Sequence, residues 1–253
     1  MIAVSIVSHG HGTMVVELAK RLLAFPEISR IILTLNVPER LALPEHTALE
    51  CIENARPRGF GANHNAAFER CSEAFFCPLN PDIELPENPF PELLEAMRSG
   101  SAGVLAPLVR SPAGAIEDSA RYFPTPWRIA RKVLLGDRGC HHLGAGASPC
   151  FVEWVAGMFM LFERRVFSEL KGFDERYFLY YEDADICLRS WKNGSAVAVV
   201  PAVSVIHDAR RDSHRKLRHL FWHLSSMMRF FAVHYGRFPN IQRIGKAGFA
   251  VRD

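Results

Sequence analysis

Short apolar runs alternate with segments of helical periodicity over the first third of the chain. The predicted strands are residues 2–7, 30–35, 49–53 and 74–79, and the predicted helices are 14–23 and 61–70. Strands that alternate with helices favour a mainly parallel sheet with helices on both faces. The pattern therefore predicts an α/β fold of Rossmann-like type.

The pattern is less regular after residue 110. Residues 111–149 are rich in Gly, Pro, His and Arg and are expected to form loops around one basic helix, 127–135. The apolar run 154–162 is predicted to be one buried strand, and a short helix is predicted over 164–170. The remaining predicted elements are a helix at 182–191, strands at 196–200 and 204–207, and an amphipathic C-terminal helix at 220–235.

Polar residues directly follow three of the predicted strands. Ser8 ends the first, Asn36 follows the second, and the tripeptide Asn80, Pro81 and Asp82 follows the fourth. Ligands bind at the carboxyl ends of parallel strands, so these turns are expected on the ligand side. Asn-Pro-Asp by itself is typical of a plain turn. At this position, however, the Asp82 carboxylate can hold Mg²⁺ or Mn²⁺ against a diphosphate.

The predicted helix at 182–191 begins with Glu182, Asp183 and Asp185. Acidic residues in a first turn are typical of a solvated helix N-terminus, because they interact favourably with the helix dipole. Aromatic residues precede these acids, and carboxylates beside aromatic walls can have raised pKa values, which suits a general base. His207 ends an apolar strand and is interpreted either as a structural histidine or as a metal ligand.

Two glycine-containing loops, 8–12 and 59–65, can bring backbone close to a ligand. Neither has the third glycine of a dinucleotide fingerprint, which counts against an NAD-dependent oxidoreductase. His9, His11, His141 and His142 could suggest a metal site, but their spacing matches no zinc-binding signature. A non-catalytic nucleotide-sugar-binding protein is a second alternative, and Asp82, Asp183 and His207 count against it.

Charge is distributed unevenly along the chain. Residues 209–253 carry ten Lys and Arg against two Asp and Glu, a net charge of +8, whereas residues 1–208 carry −5. We expect the amphipathic helix of this basic segment to contact an anionic membrane surface peripherally. A solvated basic helix is the alternative, and nucleic-acid binding is not expected because no recognised binding motif is present.

Cysteines and apolar runs bear on the cellular location. The six cysteines form no Cys-x-x-Cys pair and are expected to be free thiols in a reducing cytosol. The longest apolar runs, 154–162 and 196–206, are far shorter than the roughly 18 residues that span a bilayer. Without a signal peptide, the chain is expected in the cytoplasm, at most peripheral to the inner face of the membrane.

In their order, these motifs resemble a family-2 glycosyltransferase of the GT-A fold, close to bacterial rhamnosyltransferases that use dTDP-rhamnose. The matching segments are 4–8, 53–65, 79–83, 155–157, 172–174, 181–185 and His207. The resemblance implies a catalytic domain over 1–208, with a nucleotide-sugar half (1–110) and an acceptor and catalytic half (111–208). Residues 209–253 then form a basic helical extension.

The resemblance also implies an inverting reaction, in which an acceptor hydroxyl attacks the anomeric carbon of a nucleoside-diphosphate sugar. Asp183 matches the base of the family, with Glu182 as the neighbouring alternative, and Asp82 and His207 match the ligands of Mg²⁺ or Mn²⁺. Residues expected to bind the donor are Ser8, Asn36, Asn54, Gly59 and Asn63, with Arg210, Arg211 and Arg215 closing over the diphosphate. Residues expected to line the acceptor side are Trp154, Gly157 and Met158.

The implied donor sugar is L-rhamnose, with a UDP-hexose as the alternative. The chain departs from the family in the loop 8–12 and at Asn36, where the family often has Asp, and both positions face the nucleotide base. The implied acceptor is a saccharide or a polyprenyl-diphosphate-linked glycan, in cell-surface polysaccharide or glycolipid biosynthesis.

Overall fold

A computed structural model describes residues 1–100, 102–136, 139–141, 143–144, 146, 148–207, 217–234 and 237–239. The helices are α1 (Thr13–Leu23), α2 (Phe60–Phe68), α3 (Phe90–Ser99), α4 (Pro126–Leu135), α5 (Arg164–Glu169), α6 (Glu182–Lys192) and α7 (Leu217–His234). The strands are β1 (Ile2–Ser8), β2 (Ile28–Leu35), β3 (Leu49–Glu53), β4 (Phe75–Leu79), β5 (Ile83–Glu84), β6 (Ala102–Arg110), β7 (Ala120–Arg121), β8 (Cys150–Phe151), β9 (Trp154–Val155), β10 (Leu161–Glu163) and β11 (Ala196–His207).

Within the described residues, a nine-stranded sheet forms the centre of the fold. Its strand order is β3-β2-β1-β4-β10-β6-β11-β5, with β8 paired to β11 outside this path. The pairs β1–β2, β1–β4, β2–β3 and β6–β11 are parallel, whereas β10 runs antiparallel between β4 and β6. Strands β7 and β9 form a separate two-stranded sheet. The predicted α/β class with a mainly parallel sheet is confirmed.

Helices cover both faces because the chain crosses the sheet in two directions. Helix α1 leads from β1 to β2 on one side of β1, whereas α2 leads from β3 to β4 on the other side. Crossovers between parallel strands are right-handed, so the two helices lie on opposite faces. Ser5 of β1 faces α2, since its hydroxyl lies 2.8 Å from His64 Nδ1. The strand is buried from both sides, which explains its nearly continuous apolar sequence.

Two predictions in the second half were wrong. Residues 154–162 are not one strand, because β9 ends at Val155 and β10 begins at Leu161. The intervening backbone pairs elsewhere: the N–H of Gly157 donates to Asp183, and the carbonyl of Met158 accepts from a neighbouring turn. The predicted strands 196–200 and 204–207 are the two ends of β11, whose register shifts around Pro201 because proline has no N–H to donate.

The sequence pattern predicted no element between residues 80 and 110, where the structure has β5, α3 and β6. Strand β6 is central, since it pairs with both β10 and β11. Helix α3 buries Phe90, Leu93, Leu94 and Met97 against it. These residues are spaced as one face of a helix, so the signal was present in the sequence.

The C-terminal helix α7 packs on the body of the protein. Phe230 is fully buried, and His234 Nε2 lies 2.7 Å from Asp185 Oδ1 of α6. Among the residues that the structure describes, no helix is long and apolar enough to cross a membrane. Cys77 and Cys187 are buried free thiols, and burial raises the pKa of both well above the usual range.

Candidate active site

Asp82 and His207 meet at the edge of the sheet where β5 pairs with the end of β11. Asp82 Oδ2 lies 3.3 Å from His207 Nε2, and Glu117 Oε2 lies 2.9 Å from Nδ1 of the same ring. Burial lowers the pKa of His207, but hydrogen bonds to the two carboxylates and their charges outweigh it and raise the pKa to about 9. The structure thus brings the two predicted metal ligands together.

These residues fit a divalent cation. Oδ1 of Asp82 is buried and has no hydrogen-bond partner, and such an orphaned oxygen is typical of a site completed by an ion or water. Glu117 fixes the ring of His207 from its far side, as carboxylates do for metal-binding histidines. No group of three or more His, Cys, Asp or Glu surrounds one metal position within the described ranges. A cation would therefore need phosphate and water as its other ligands, as Mg²⁺ commonly does.

Glu182 and Asp183 begin α6 directly after two residues in the left-handed backbone region. The φ angles of Tyr180 and Tyr181 are +71° and +68°, and neither residue is glycine. Each such residue costs about 1–3 kcal/mol and persists only where surrounding contacts enforce it. The position of both acids thus depends on what holds the segment 178–181.

Helix α2 holds this segment from one side. The N–H of Phe60 donates to the carbonyl of Phe178 at 3.0 Å. A Cβ at Gly59 would lie 2.8 Å from the same carbonyl oxygen, so only glycine allows this close approach. Gly59, predicted to contact the donor, therefore has a structural reason to be glycine.

Helix α7 holds the segment from the other side. The hydroxyl of Ser226 donates to the carbonyl of Leu179 at 2.9 Å, and the Tyr180 hydroxyl lies 3.1 Å from His219 Nδ1. Ring contacts join Phe178 to Trp222, Tyr181 to His223, and Tyr181 to Phe230. The C-terminal helix is therefore part of the support of the candidate base.

Asp183 and Glu182 lie in different surroundings. The Asp183 carboxylate accepts hydrogen bonds from the N–H groups of Gly157 at 3.0 Å and Ala184 at 2.8 Å. Burial raises the pKa of Asp183. The two N–H groups and the charge of Arg121 lower the pKa, but burial has the larger effect. Glu182 is only 5% exposed, and its Oε2 has no partner. Burial first, and then the charge of Asp183, raise the pKa of Glu182 well above its usual value.

A short segment, residues 157–158, joins two acidic clusters. One cluster is formed by Asp82 and Glu117, and the other by Glu182 and Asp183. The N–H of Asn80 donates to the carbonyl of Met158 at 2.9 Å, which holds the turn that carries Asp82. The neighbouring Gly157 donates to Asp183. Asp82 and Asp183 therefore flank the same two residues, on the edge where the parallel strands end.

The amides of Asn36, Asn54 and Asn63 form a chain of hydrogen bonds at the same edge. Nδ2 of Asn54 donates to Oδ1 of Asn36 at 2.9 Å and to Oδ1 of Asn63 at 2.7 Å. Asn36 and Asn63 also bond to the backbone of Arg58, so the chain holds the loop before α2. Ser8 is fully buried beside it. These residues, which were predicted to bind the sugar donor, lie together at this edge of the sheet. Their contact with the sugar donor stays a prediction.

Sequence reasoning missed Glu117 and Arg121. Arg121 lies over the ring of Trp154, 5.4 Å from its centroid, and its charge acts on Asp183. Both residues follow β6, which was not predicted, so nothing in the sequence pointed to them. Three predicted diphosphate contacts, Arg210, Arg211 and Arg215, lie outside the described residues.

No family model matches the chain. The chain is 31% identical over 247 residues to Rhamnosyltransferase WbbL of Escherichia coli K12. This match covers 92% of this chain and 93% of that protein. It is 34% identical over 163 residues to the N-acetylglucosaminyl-diphospho-decaprenol L-rhamnosyltransferase of Mycobacterium tuberculosis. That match covers 60% of this chain and 53% of the mycobacterial enzyme.

Solved structures share the fold at low sequence identity. GalNAc-T7, solved with UDP, GalNAc and Mn²⁺, has a TM-score of 0.69 at 16% identity, covering 94% of this chain and 48% of that chain. A mannosyltransferase from Pyrobaculum calidifontis, solved with GDP-Man and Mn²⁺, has a TM-score of 0.58 at 14% identity. It covers 94% of this chain and 65% of that chain.

Burial of Glu182 predicts a pH-dependent loss of stability. A carboxyl whose folded pKa is raised stays protonated in the folded state where the unfolded chain has lost the proton, so stability falls as pH rises above about 4.3. Glu182→Gln removes this effect. We expect a higher Tm for the variant at pH 7.5 and no difference near pH 4, measured by calorimetry.

The matched control is Glu45→Gln, since Glu45 lies exposed in a loop. It should leave the Tm unchanged at both pH values. An equal Tm shift for Glu182→Gln at pH 4 and pH 7.5 would contradict the electrostatic explanation.

Proposed function

The chain belongs to the bacterial rhamnosyltransferases of glycosyltransferase family 2, which have the GT-A fold, and we propose that it transfers L-rhamnose from dTDP-rhamnose to a hydroxyl of a lipid-linked glycan. The observation that carries this proposal is the meeting of Asp82 with His207 beside the segment that orients Asp183. The proposed diphosphate site and the proposed base would then lie side by side, which supports transfer from a nucleoside-diphosphate sugar. The two rhamnosyltransferases among its relatives support the choice of sugar.

The donor would lie across the carboxyl ends of β1, β2 and β4, in the half formed by residues 1–110. Ser8 ends β1, Asn36 follows β2 and Asn54 follows the neighbouring strand β3, and these side chains would position the nucleotide. Asp82 and His207 would hold Mg²⁺ or Mn²⁺, which supplies positive charge against the leaving diphosphate. The Mn²⁺ complexes of the structural neighbours support a divalent metal.

In the proposed reaction, the acceptor hydroxyl oxygen attacks the anomeric carbon from the face opposite the diphosphate. A new C–O bond forms, the bond from carbon to diphosphate oxygen breaks, and the configuration inverts. The hydroxyl proton passes to Asp183, whose raised pKa makes it a better base than an ordinary carboxylate. The N–H groups of Gly157 and Ala184 aim that carboxylate. Glu182 is too buried to reach an acceptor directly.

The proposed acceptor is a polyprenyl-diphosphate-linked glycan, which the name of the mycobacterial relative supports. Gly157 donates to Asp183, Met158 follows it in the chain, and Trp154 packs against Arg121, whose charge acts on Asp183. These three residues would line the acceptor side. Such an acceptor lies in the cytoplasmic leaflet, so the enzyme would work in the cytoplasm and contact the inner face of the membrane through α7. A saccharide in solution is the competing acceptor.

The base assignment predicts that Asp183→Asn lowers transfer by about 10²–10⁴-fold, since this is the usual contribution of a general base. Donor binding should be unchanged, because the amide keeps the size of the side chain. The measurement is dTDP release from dTDP-rhamnose in the presence of an acceptor, together with donor titration by calorimetry. The neighbouring variant Glu182→Gln should stay active. If Glu182→Gln were inactive and Asp183→Asn active, the assignment of the base would be wrong by one residue.

The metal assignment predicts that Asp82→Ala abolishes the Mn²⁺-dependent part of dTDP-rhamnose binding and leaves the fold intact. Asp82 lies in a turn, not in the core. The matched control is Glu84→Gln, because Glu84 is an exposed acid two residues away. Calorimetric titration with and without Mn²⁺ measures the effect, and the same titration with UDP-glucose tests the donor. Unchanged Mn²⁺-dependent binding by Asp82→Ala would make the Asn-Pro-Asp segment a plain turn.

A further inference from the structure

Exposed apolar side chains concentrate on two helices, α4 and α7. Of the eleven large hydrophobic residues exposed in the described part of the chain, eight lie on these helices. They are Trp127, Leu134 and Leu135 on α4, and Leu220, Phe221, Leu224, Met228 and Val233 on α7. Trp127, Leu134 and Leu135 are each more than 70% exposed. Apolar groups concentrated in this way mark an interaction surface.

The two helices are joined by an apolar groove, and the exposed side chains that flank it form one surface. Val233 lies on the far side of α7 by helical spacing and is not part of this surface. The groove has a volume of about 560 Å³ and is lined almost wholly by apolar atoms. Its walls are Pro126, Ile129, Ala130 and Leu134 of α4, and Met227 and Phe231 of α7. On α7, residues 220, 224 and 228 form a stripe at helical spacing beside this groove.

Both helices carry positive charge and no acidic residue. Helix α4 contains Arg128, Arg131 and Lys132, and α7 contains Arg218 and Arg229. An apolar face flanked by Lys and Arg is the pattern of a helix that lies in a membrane interface. The single sign of charge matches an anionic leaflet and distinguishes this surface from an ordinary helix packing face.

The surface borders the acceptor side of the site. At the start of α4, Arg128 pairs with Glu153 at 2.6 Å, directly before Trp154. From α7, the ring of Phe230 packs on Tyr181, two residues before Asp183. A membrane against α4 and α7 would therefore lie close to the candidate base.

We propose that α4 and α7 together form one membrane-binding surface, with α4 inserting Trp127, Leu134 and Leu135 into an anionic phospholipid leaflet. It extends the proposed function, which placed only α7 at the membrane. It rests on that function only in the choice of partner, since a lipid-linked acceptor is presented at this leaflet. In this arrangement α4 inserts apolar side chains, and its Arg131 and Lys132 contact lipid headgroups, whereas Arg128 stays paired with Glu153.

The test is co-sedimentation of the full chain with vesicles of phosphatidylglycerol and phosphatidylcholine, at low and high salt. Leu134→Glu with Leu135→Glu should weaken binding at least tenfold, because both positions would move a charge into the apolar layer. Lys132→Glu should weaken binding about tenfold or more at low salt, since each basic residue contributes about fivefold and the charge is reversed. Pure phosphatidylcholine should bind wild type weakly.

Matched controls lie on the same helix and on a distant one. Val233→Glu places a charge on α7 away from the stripe, and Arg98→Glu reverses an exposed charge on α3. Both should bind vesicles like wild type. Circular dichroism checks folding, and transfer to a water-soluble acceptor analogue should be unchanged in all variants. If the wild-type protein transferred no sugar to this analogue, the result would count against the proposed function. The vesicle-binding measurements would still test the membrane-binding surface by themselves.

Three outcomes would overturn the proposal. The first is wild-type protein that does not bind anionic vesicles at low salt, and the second is a Leu134→Glu, Leu135→Glu variant that binds as tightly as wild type. The third is a variant that changes the oligomeric state of the lipid-free protein, measured by light scattering, without changing vesicle binding. The surface would then be an interface between two copies of the chain.

Discussion

The placement of the candidate base depends on a pair of left-handed residues, Tyr180 and Tyr181. Their backbone conformation is costly for side chains with a Cβ, and it turns the chain sharply into α6, so that Asp183 meets the N–H of Gly157. The contacts that offset this strain come from α2 and α7, on two sides of the segment. Two helices that are far from α6 in sequence thus determine where one carboxylate lies.

Two acidic clusters of opposite character face each other across residues 157–158. In one, the Asp82 and Glu117 carboxylates lie on either side of the His207 imidazole. Without a bound cation their charges favour the protonated ring, and a cation at Asp82 would displace the Nε2 proton and leave the neutral ring that ligates metals. In the other, burial works against the ionised forms of Glu182 and Asp183. The first arrangement suits a cation and a diphosphate, and the second suits acceptance of a proton. A transferase that separates a leaving anion from an attacking hydroxyl needs both environments side by side.

The strands of the first third of the chain, and the residues at their ends, could be predicted because local pattern decides them, whereas β5 and β6 were missed. An apolar run followed by a polar turn is sufficient to place Asp82 and His207 at the edge of a parallel sheet. Glu117 could not be found this way, since it reaches His207 from 90 residues away in a loop region. The strand predicted over 154–162 failed because Gly157 and Met158 pair with Asp183 and Asn80, which are distant in sequence. The C-terminal helix was predicted as an amphipathic helix, but its contacts with the segment before Asp183 depend on tertiary packing.

The most direct test of the account is a crystal structure of the enzyme with Mn²⁺ and a non-transferable analogue of dTDP-rhamnose. We expect Mn²⁺ bound by Asp82 and His207 and by the diphosphate, with Glu117 still on the far side of the imidazole. The anomeric carbon should lie on the Asp183 side of the diphosphate, with room for one hydroxyl between the carbon and the carboxylate. A metal bound elsewhere, or an anomeric carbon turned away from Asp183, would contradict the account.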